Sequence, residues 1–235
     1  MGRWQPDARG RLVQAAFALY GERGFEQTTV DDIAERAGLG RATFFRRYRS
    51  KDDVIFPDHD RLLDEVRGRL QAAGHGDALA AVCDAVRLVL LHYIEEGDLA
   101  RRRYALTSTV PALRDREIVS VARYQRLFRE YIAERTADGE PAVSGEPAEG
   151  GASAALQAEL MAATVASAHN HVLRRWLRGE SDDPVRELDD AMRQVIALFA
   201  PRAPGLGTDG TTVLAFRTGR PLEALLPAIR QALEA

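Results

Sequence analysis

Between Gly40 and Lys51 the chain carries Arg41, Arg46, Arg47, Arg49 and Lys51 and no acidic residue. Arginine can hold a guanine edge or a phosphate with two parallel N–H donors, and lysine adds a point charge suited to phosphate. A basic run is ordinarily a solvated face, but this one lies on and after a helical segment of the kind that enters a DNA groove. The other residues with chemical capacity do not converge. His92, His169 and His171 lie within apolar-periodic segments, with His59 and His75 at their edges. His169 and His171 are two apart, so on a helix their rings point apart. Asp58-His59-Asp60 has the look of a metal cluster, yet a helix restarting after Pro57 accounts for its acids. Cys83 is the one cysteine, which excludes an intrachain disulfide and argues against a cysteine zinc site or an iron–sulfur cluster. There is no Gly-rich phosphate loop and no Gly-x-Ser-x-Gly turn. The sequence offers no catalytic set, no metal set and no cofactor.

The elements that must position the cations are two short helices joined by a turn. Thr29 is placed to cap the first, and Asp31 and Asp32 fall in its first turn, where the helix dipole favours negative charge. Val30, Ile33, Ala34 and Ala37 are spaced to form one narrow apolar face. Gly38 ends the helix, Leu39 plugs the turn, and Gly40 leaves room for a second helix over Arg41 to Tyr48. That helix is expected to pack through Ala42, Phe44 or Phe45, and Tyr48. Two helices joined by a short Gly-containing turn form a helix-turn-helix. Upstream, Asp7 caps a first helix running to about Arg23, with Leu12, Ala16 and Leu19 beside Val13, Phe17 and Tyr20. Met1 to Pro6 is either a disordered arm or a basic arm lying along DNA.

The run Thr-Thr-Val-x-x-Ile-Ala-x-x-Ala-Gly-Leu-Gly-x-Ala-Thr-Phe-Phe-x-x-Tyr-x-Ser-Lys, within residues 9 to 56, resembles the N-terminal domain of the tetracycline-repressor (TetR) family of bacterial transcriptional regulators. The resemblance implies that Arg41, Thr43, Phe45, Arg46 and Arg47 contact bases and phosphates and that Lys51 contacts phosphate. Thr29 and Gly40 complete the implied contact set. Two positions depart from the family pattern. Phe45 stands where a tyrosine often offers its hydroxyl to phosphate, and Gly40 stands where a polar side chain is common.

The chain has 235 residues and a net charge of −3. Residues 1 to 51 hold ten basic and six acidic residues, net +4, which leaves −7 for the remainder. A basic head on an acidic body is the asymmetry of a DNA-binding domain joined to something else. No apolar run reaches membrane-spanning length and the N-terminus lacks the apolar core of a signal peptide, so a cytoplasmic protein without a membrane partner is expected. The organisation expected is all-α: a helix-turn-helix domain over 1–50, a helical effector-binding and dimerisation domain over 51–200, and a 201–235 extension of one strand plus one helix. Ser50-x-x-Asp53 resembles a capping box opening a fourth helix. Pro57 then forces a kink or a restart at Asp58, which serves either as a relay or only as a bend. Further helices are expected from Asp77 to Glu96, Leu99 to Ser108, Arg114 to Thr136 (Ile118, Val121, Tyr124, Phe128 and Ile132 on one side), Ala154 to Arg178 and Pro184 to Ala200. The Gly/Pro/Glu-rich stretch 138–153 is expected to be an exposed, mobile loop unable to bury a core. The extension's single strand needs a partner or is disordered.

Val185, Leu188, Met192, Val195 and Phe199 form an apolar seam, and Val165, His169, Val172 and Trp176 a matching stripe on the helix before it. Such a seam is either an intrachain core or, as the resemblance implies, half of a four-helix interface between two subunits; the interface is the expectation taken forward. Tyr93, Tyr104, Phe128, Met161 and Thr164 are candidate positions for a small-molecule effector, although a buried aromatic is more often plain core. The function expected is a ligand-responsive regulator, a repressor, binding palindromic double-stranded DNA as a homodimer. An all-helical enzyme would leave the basic helix-turn-helix unexplained. A ligand-independent DNA-binding protein would leave the large body unexplained.

Overall fold

A computed structural model describes residues 7–56, 59–74, 76–138, 142–143 and 152–200. Among the described residues the regular elements are helices: α1 (Ala8–Arg23), α2 (Val30–Arg36), α3 (Arg41–Phe45), α4 (His59–Ala72), α5 (Ala78–Glu96), α6 (Asp98–Thr109), α7 (Pro111–Ala137), α8 (Ala152–Leu177) and α9 (Pro184–Phe199). The expectations for Met1 to Pro6, Pro57, Asp58, His75 and 201–235 lie outside the described residues.

The first three helices form a head with its own apolar centre of Leu12, Phe17, Tyr20, Ile33, Phe44 and Tyr48. Their ends are written in the sequence. Asp7 accepts from the Gly10 N–H at 2.8 Å, satisfying an orphan donor of α1. Thr29 and Asp32 cap each other's backbone N–H groups in a capping box at the start of α2. Gly38 takes φ 66, a left-handed conformation that a side chain resists, and lets the Leu39 N–H return to the Ala34 carbonyl at 2.9 Å.

Several local expectations are corrected. α3 closes at Phe45, and hydrogen-bonded turns carry the chain to Tyr48. Ala42 faces solvent, and a Cβ at Gly40 would meet nothing within 4 Å, so Gly40 is not there to let helices approach. Lys51 to Ile55 form turns rather than the opening of a fourth helix. Asp53 there accepts from the Arg49 N–H at 2.7 Å. The turns direct Val54, Ile55 and Phe56, three consecutive apolar residues, into the head's core together with Leu113 of α7. One amphipathic face of a helix could not bury all three. The head's core is therefore closed by residues beyond position 50.

α4 to α9 enclose a second core. Ala142 and Val143, expected in an exposed loop, are buried in it, and the Ala142 carbonyl accepts from the Leu79 N–H at 3.1 Å. That N–H is one of the orphans in the first turn of α5, so a short apolar step in a polar loop finds both a carbonyl partner and an apolar surface. On α7, Tyr124, Phe128 and Ile132 are buried while Ile118 stands 60% exposed.

The largest correction concerns α8 and α9. Val165, Val172, Trp176, Leu188, Met192 and Val195 are buried within the single chain, and Phe199 packs against the same core. A residue already covered by its own chain cannot also be the surface a second copy covers. The narrow 3-4 seam joins α8 to α9 and to α5. What these helices turn outward includes Leu156, Leu160 and Leu198, at 61%, 51% and 69% exposure.

Candidate nucleic-acid interface and buried cavity

The exposed surface of α3 and the turn after it carries Arg41, Arg46, Arg47 and Arg49. Phe44 and Phe45 share an edge-to-face ring contact but face opposite environments. Phe44 is fully buried, whereas Phe45 is 45% exposed with the Arg41 guanidinium 5.0 Å above its ring. Arg41 also pairs with Asp31 at 2.5 Å, with both side chains mostly in solvent. Such an exposed pair is worth at most about 1 kcal/mol, so Arg41 is readily released to another anion. Arg46 reaches the half-buried Thr43 hydroxyl at 3.4 Å, and Arg47 stands in solvent. Thr29 is exposed, with its hydroxyl engaged in the α2 capping box. The Asp32 carboxyl is held well below the usual carboxylate range, first by Arg23 and then by Thr29. Gly40 contributes backbone only, at the start of α3.

Lys51 departs from its expected role as a phosphate contact. Its ammonium donates to the carbonyls of Phe25, Glu26 and Thr28 at 2.7, 3.3 and 3.1 Å and lies 4.2 Å from the Phe25 ring centroid. Three donors meet three acceptors, and the charge ties the turn after α1 to the turn after α3.

The body encloses a cavity of about 60 Å³ among α4 to α8, with Phe56 at the head side. Val86, Val89, Phe128 and Leu173 make apolar walls, and Tyr93, Arg103, Tyr104, His59 and His169 bring polar atoms to it. The cavity adjoins an outer cleft of about 550 Å³, and Tyr104, Thr107, Asn170 and Leu173 line both. Of the five candidate effector positions, Tyr93, Tyr104 and Phe128 line the cavity. Met161 is wholly buried in the core away from it, and Thr164 donates its hydroxyl to the Leu160 carbonyl within α8 at 2.7 Å. His169, expected in a subunit interface, is a wall of the cavity.

Sequence reasoning missed His59, Arg103 and Tyr124. Arg103 is buried and bidentate on Glu96, at 2.6 and 2.8 Å, and its Nε donates to the Ile55 carbonyl at 2.5 Å. It therefore joins the cavity wall to backbone that belongs to the head's core. His59 Nδ1 lies 3.4 Å from the Tyr124 hydroxyl. Burial, with the nearby Arg103 and Arg123 charges, pushes the His59 pKa down to about 4. Burial raises Tyr93 to about 12 and moves Tyr124 in the same direction. Arg103 sits in the triplet Arg101-Arg102-Arg103, where nothing local marks the third arginine as buried. Only the turn at Gly97, which lays α6 against α5, brings it to Glu96.

Two family models match the chain: bacterial regulatory proteins of the tetR family over residues 12–56, and the MftR C-terminal domain over residues 77–200. A mycofactocin biosynthesis transcriptional regulator by name, MftR of Mycobacterium tuberculosis, is 25% identical over 185 residues, covering 77% of this chain and 85% of that protein. Among solved structures, SmeT of Stenotrophomonas maltophilia in complex with triclosan aligns with a TM-score of 0.57 at 18% identity, over 91% of this chain and all of that one. FadR of Thermus thermophilus in complex with lauroyl-CoA aligns with a TM-score of 0.51 at 21% identity, over 91% of this chain and 98% of that one.

Proposed function

Since the chain belongs to the TetR family of bacterial regulatory proteins, it is a transcriptional regulator, and we propose that it is a repressor whose operator affinity falls when a small molecule fills the cavity of the body. In this reading a homodimer presents two α3 helices to a palindrome, with half-sites roughly 34–36 Å apart or a multiple of that. Arg41 and Arg46 reach bases, and Arg47 and Arg49 hold phosphate. The outward faces of α8 and α9, with Leu156, Leu160 and Leu198, pack against the second copy. Its DNA partner makes the protein cytoplasmic, and the reading includes no catalysed reaction.

The observation that carries the switch is Arg103. A cavity of about 60 Å³ holds a few waters, whereas a drug-sized molecule needs ~300–1,000 Å³. An occupant must therefore move the walls, and α6 is the wall bonded to the head at Ile55. Such an occupant shifts the population of head positions by its differential affinity and no more. The expected coupling is ~1–3 kcal/mol, and it is reciprocal.

The test begins with DNA from upstream of the protein's own gene and a thermal-shift screen for stabilising compounds. Each hit is then titrated by calorimetry with and without operator. Equal affinity in the two titrations would show that the cavity does not regulate DNA binding. Light scattering at the concentration that saturates operator tests the dimer, which a monomeric mass would end.

A further inference from the structure

His169 has no part in reading DNA, yet it is an imidazole buried almost completely in the cavity wall. Its Nδ1 lies 3.3 Å from Asn170 Oδ1. An amide oxygen only accepts, so Nδ1 carries the proton and Nε2 is left as a bare lone pair. Nε2 is buried and has no hydrogen-bond partner. Burial pushes the pKa of the ring down to about 4, so at neutral pH it does not escape the deficit by taking up a proton. A buried acceptor left unmet destabilises the state that contains it, and the deficit is removed by any donor that reaches it.

The surroundings restrict what that donor belongs to. Val86, Val89, Phe128 and Leu173 reward an apolar body. Arg103 is committed to Glu96 and the Ile55 carbonyl, so no free cation waits there for a carboxylate. Asn170, adjacent to His169 and holding its tautomer, lines both the cavity and the outer cleft, which marks the route inward between α6, α7 and α8. We infer that the cavity takes a mainly apolar molecule without a carboxylate that enters from this cleft and donates one hydrogen bond, from a hydroxyl, phenol or amide N–H, to His169 Nε2. This rests on the reading of the cavity as the effector site and adds the chemistry it selects. His169 then rewards occupation twice, by removing an unmet acceptor and by selecting donors over isosteric ethers.

A matched pair of probes tests this on the full chain: 4-hexylphenol and its methyl ether, 4-hexylanisole, titrated by calorimetry. The phenol is expected to bind about tenfold more tightly than the ether, the worth of roughly one hydrogen bond. In His169→Phe that preference disappears while ether binding persists. His169→Gln, which restores an amide acceptor, recovers part of it. Nitrogen NMR of histidine-labelled wild type supplies a readout that needs no substitution: the Nε2 resonance shifts with the phenol and not with the ether. Equal binding of phenol and ether, or a preference that survives in His169→Phe, overturns the donor assignment and leaves the effector site standing. Binding of neither probe by a protein that still binds operator overturns the cavity reading and the inference with it.

Discussion

The head and the body use polar side chains in opposite ways. In the head, Arg41–Asp31, Arg36–Glu22 and Arg23–Asp32 pair toward solvent over a mainly apolar centre. Such pairs contribute little to stability, and water replaces either partner, or phosphate the carboxylate, at small cost. In the body, Arg103–Glu96, His59–Tyr124 and His169 sit inside, where a displaced partner leaves a buried group unmet. The difference assigns tasks. A surface whose ion pairs exchange freely can bind and leave DNA without refolding, whereas an interior whose polar groups have few alternatives has to change shape when one is disturbed.

The sharpest way to break this contrast is at Arg103. Arg103→Ala leaves Glu96 and the Ile55 carbonyl without their partner, and the loss expected is ~3–5 kcal/mol in a urea titration. The double variant Arg103→Met with Glu96→Met should recover much of it, because it removes both charges. By contrast, Arg41→Ala should change stability by less than about 0.5 kcal/mol. If Arg103→Ala is as mild as Arg41→Ala, the interior pair does not hold head to body.

Within the head, Phe44 and Phe45 are adjacent residues with separate roles. Phe44→Ala should cost ~3–5 kcal/mol of stability. Phe45→Ala should leave the melting temperature almost unchanged and weaken the operator complex. An exposed ring on α3 suits contact with a thymine methyl, so replacing thymine by uracil at one operator position should weaken wild-type binding and not the Phe45→Ala variant. Equal sensitivity of the two proteins at every thymine would remove Phe45 from base reading.

Acid should separate the regions. His59 and His169 titrate near 4 in the folded chain and near 6.5 when unfolded. Between those values the unfolded chain binds more protons, so stability falls as the pH drops from about 6.5 to 4 and is level above it. The loss expected is up to roughly 3 kcal/mol per histidine. The head's Asp32, with its lowered pKa, adds loss only lower still. Denaturation curves at pH 7 and 5 measure the difference, and His169→Phe should flatten its share; an unchanged slope would mean that His169 is not a buried neutral base.

The smallest effect concerns two cations that the sequence does not tell apart. Arg47→Ala should lower the salt slope of operator binding by about one, as loss of a phosphate contact does. Lys51→Ala should leave that slope unchanged and cost ~1 kcal/mol of stability, because its donors are spent on Phe25, Glu26 and Thr28 carbonyls. The reverse result would return Lys51 to the DNA surface.

What the sequence determined by itself was everything set by neighbours three or four residues apart. The Thr29–Asp32 capping box, the left-handed turn at Gly38 and the charge asymmetry of head and body follow from local chemistry, and with them the helical class and the helix-turn-helix. Tertiary structure decided which apolar and polar side chains became interior. The Val165–Val195 seam has the spacing of an interface and the spacing of a core, because both reward the same narrow stripe; only the packing of α8 on α9 and α5 made it core. Ala142 and Val143 were hidden by the average composition of their loop. Arg103 and Lys51 look like any surface cation until the carbonyls of Ile55 and Phe25, 48 and 26 residues away, come within bonding distance. Hydrogen bonds of that kind are formed by chain crossing, and no local periodicity encodes where a distant carbonyl will lie.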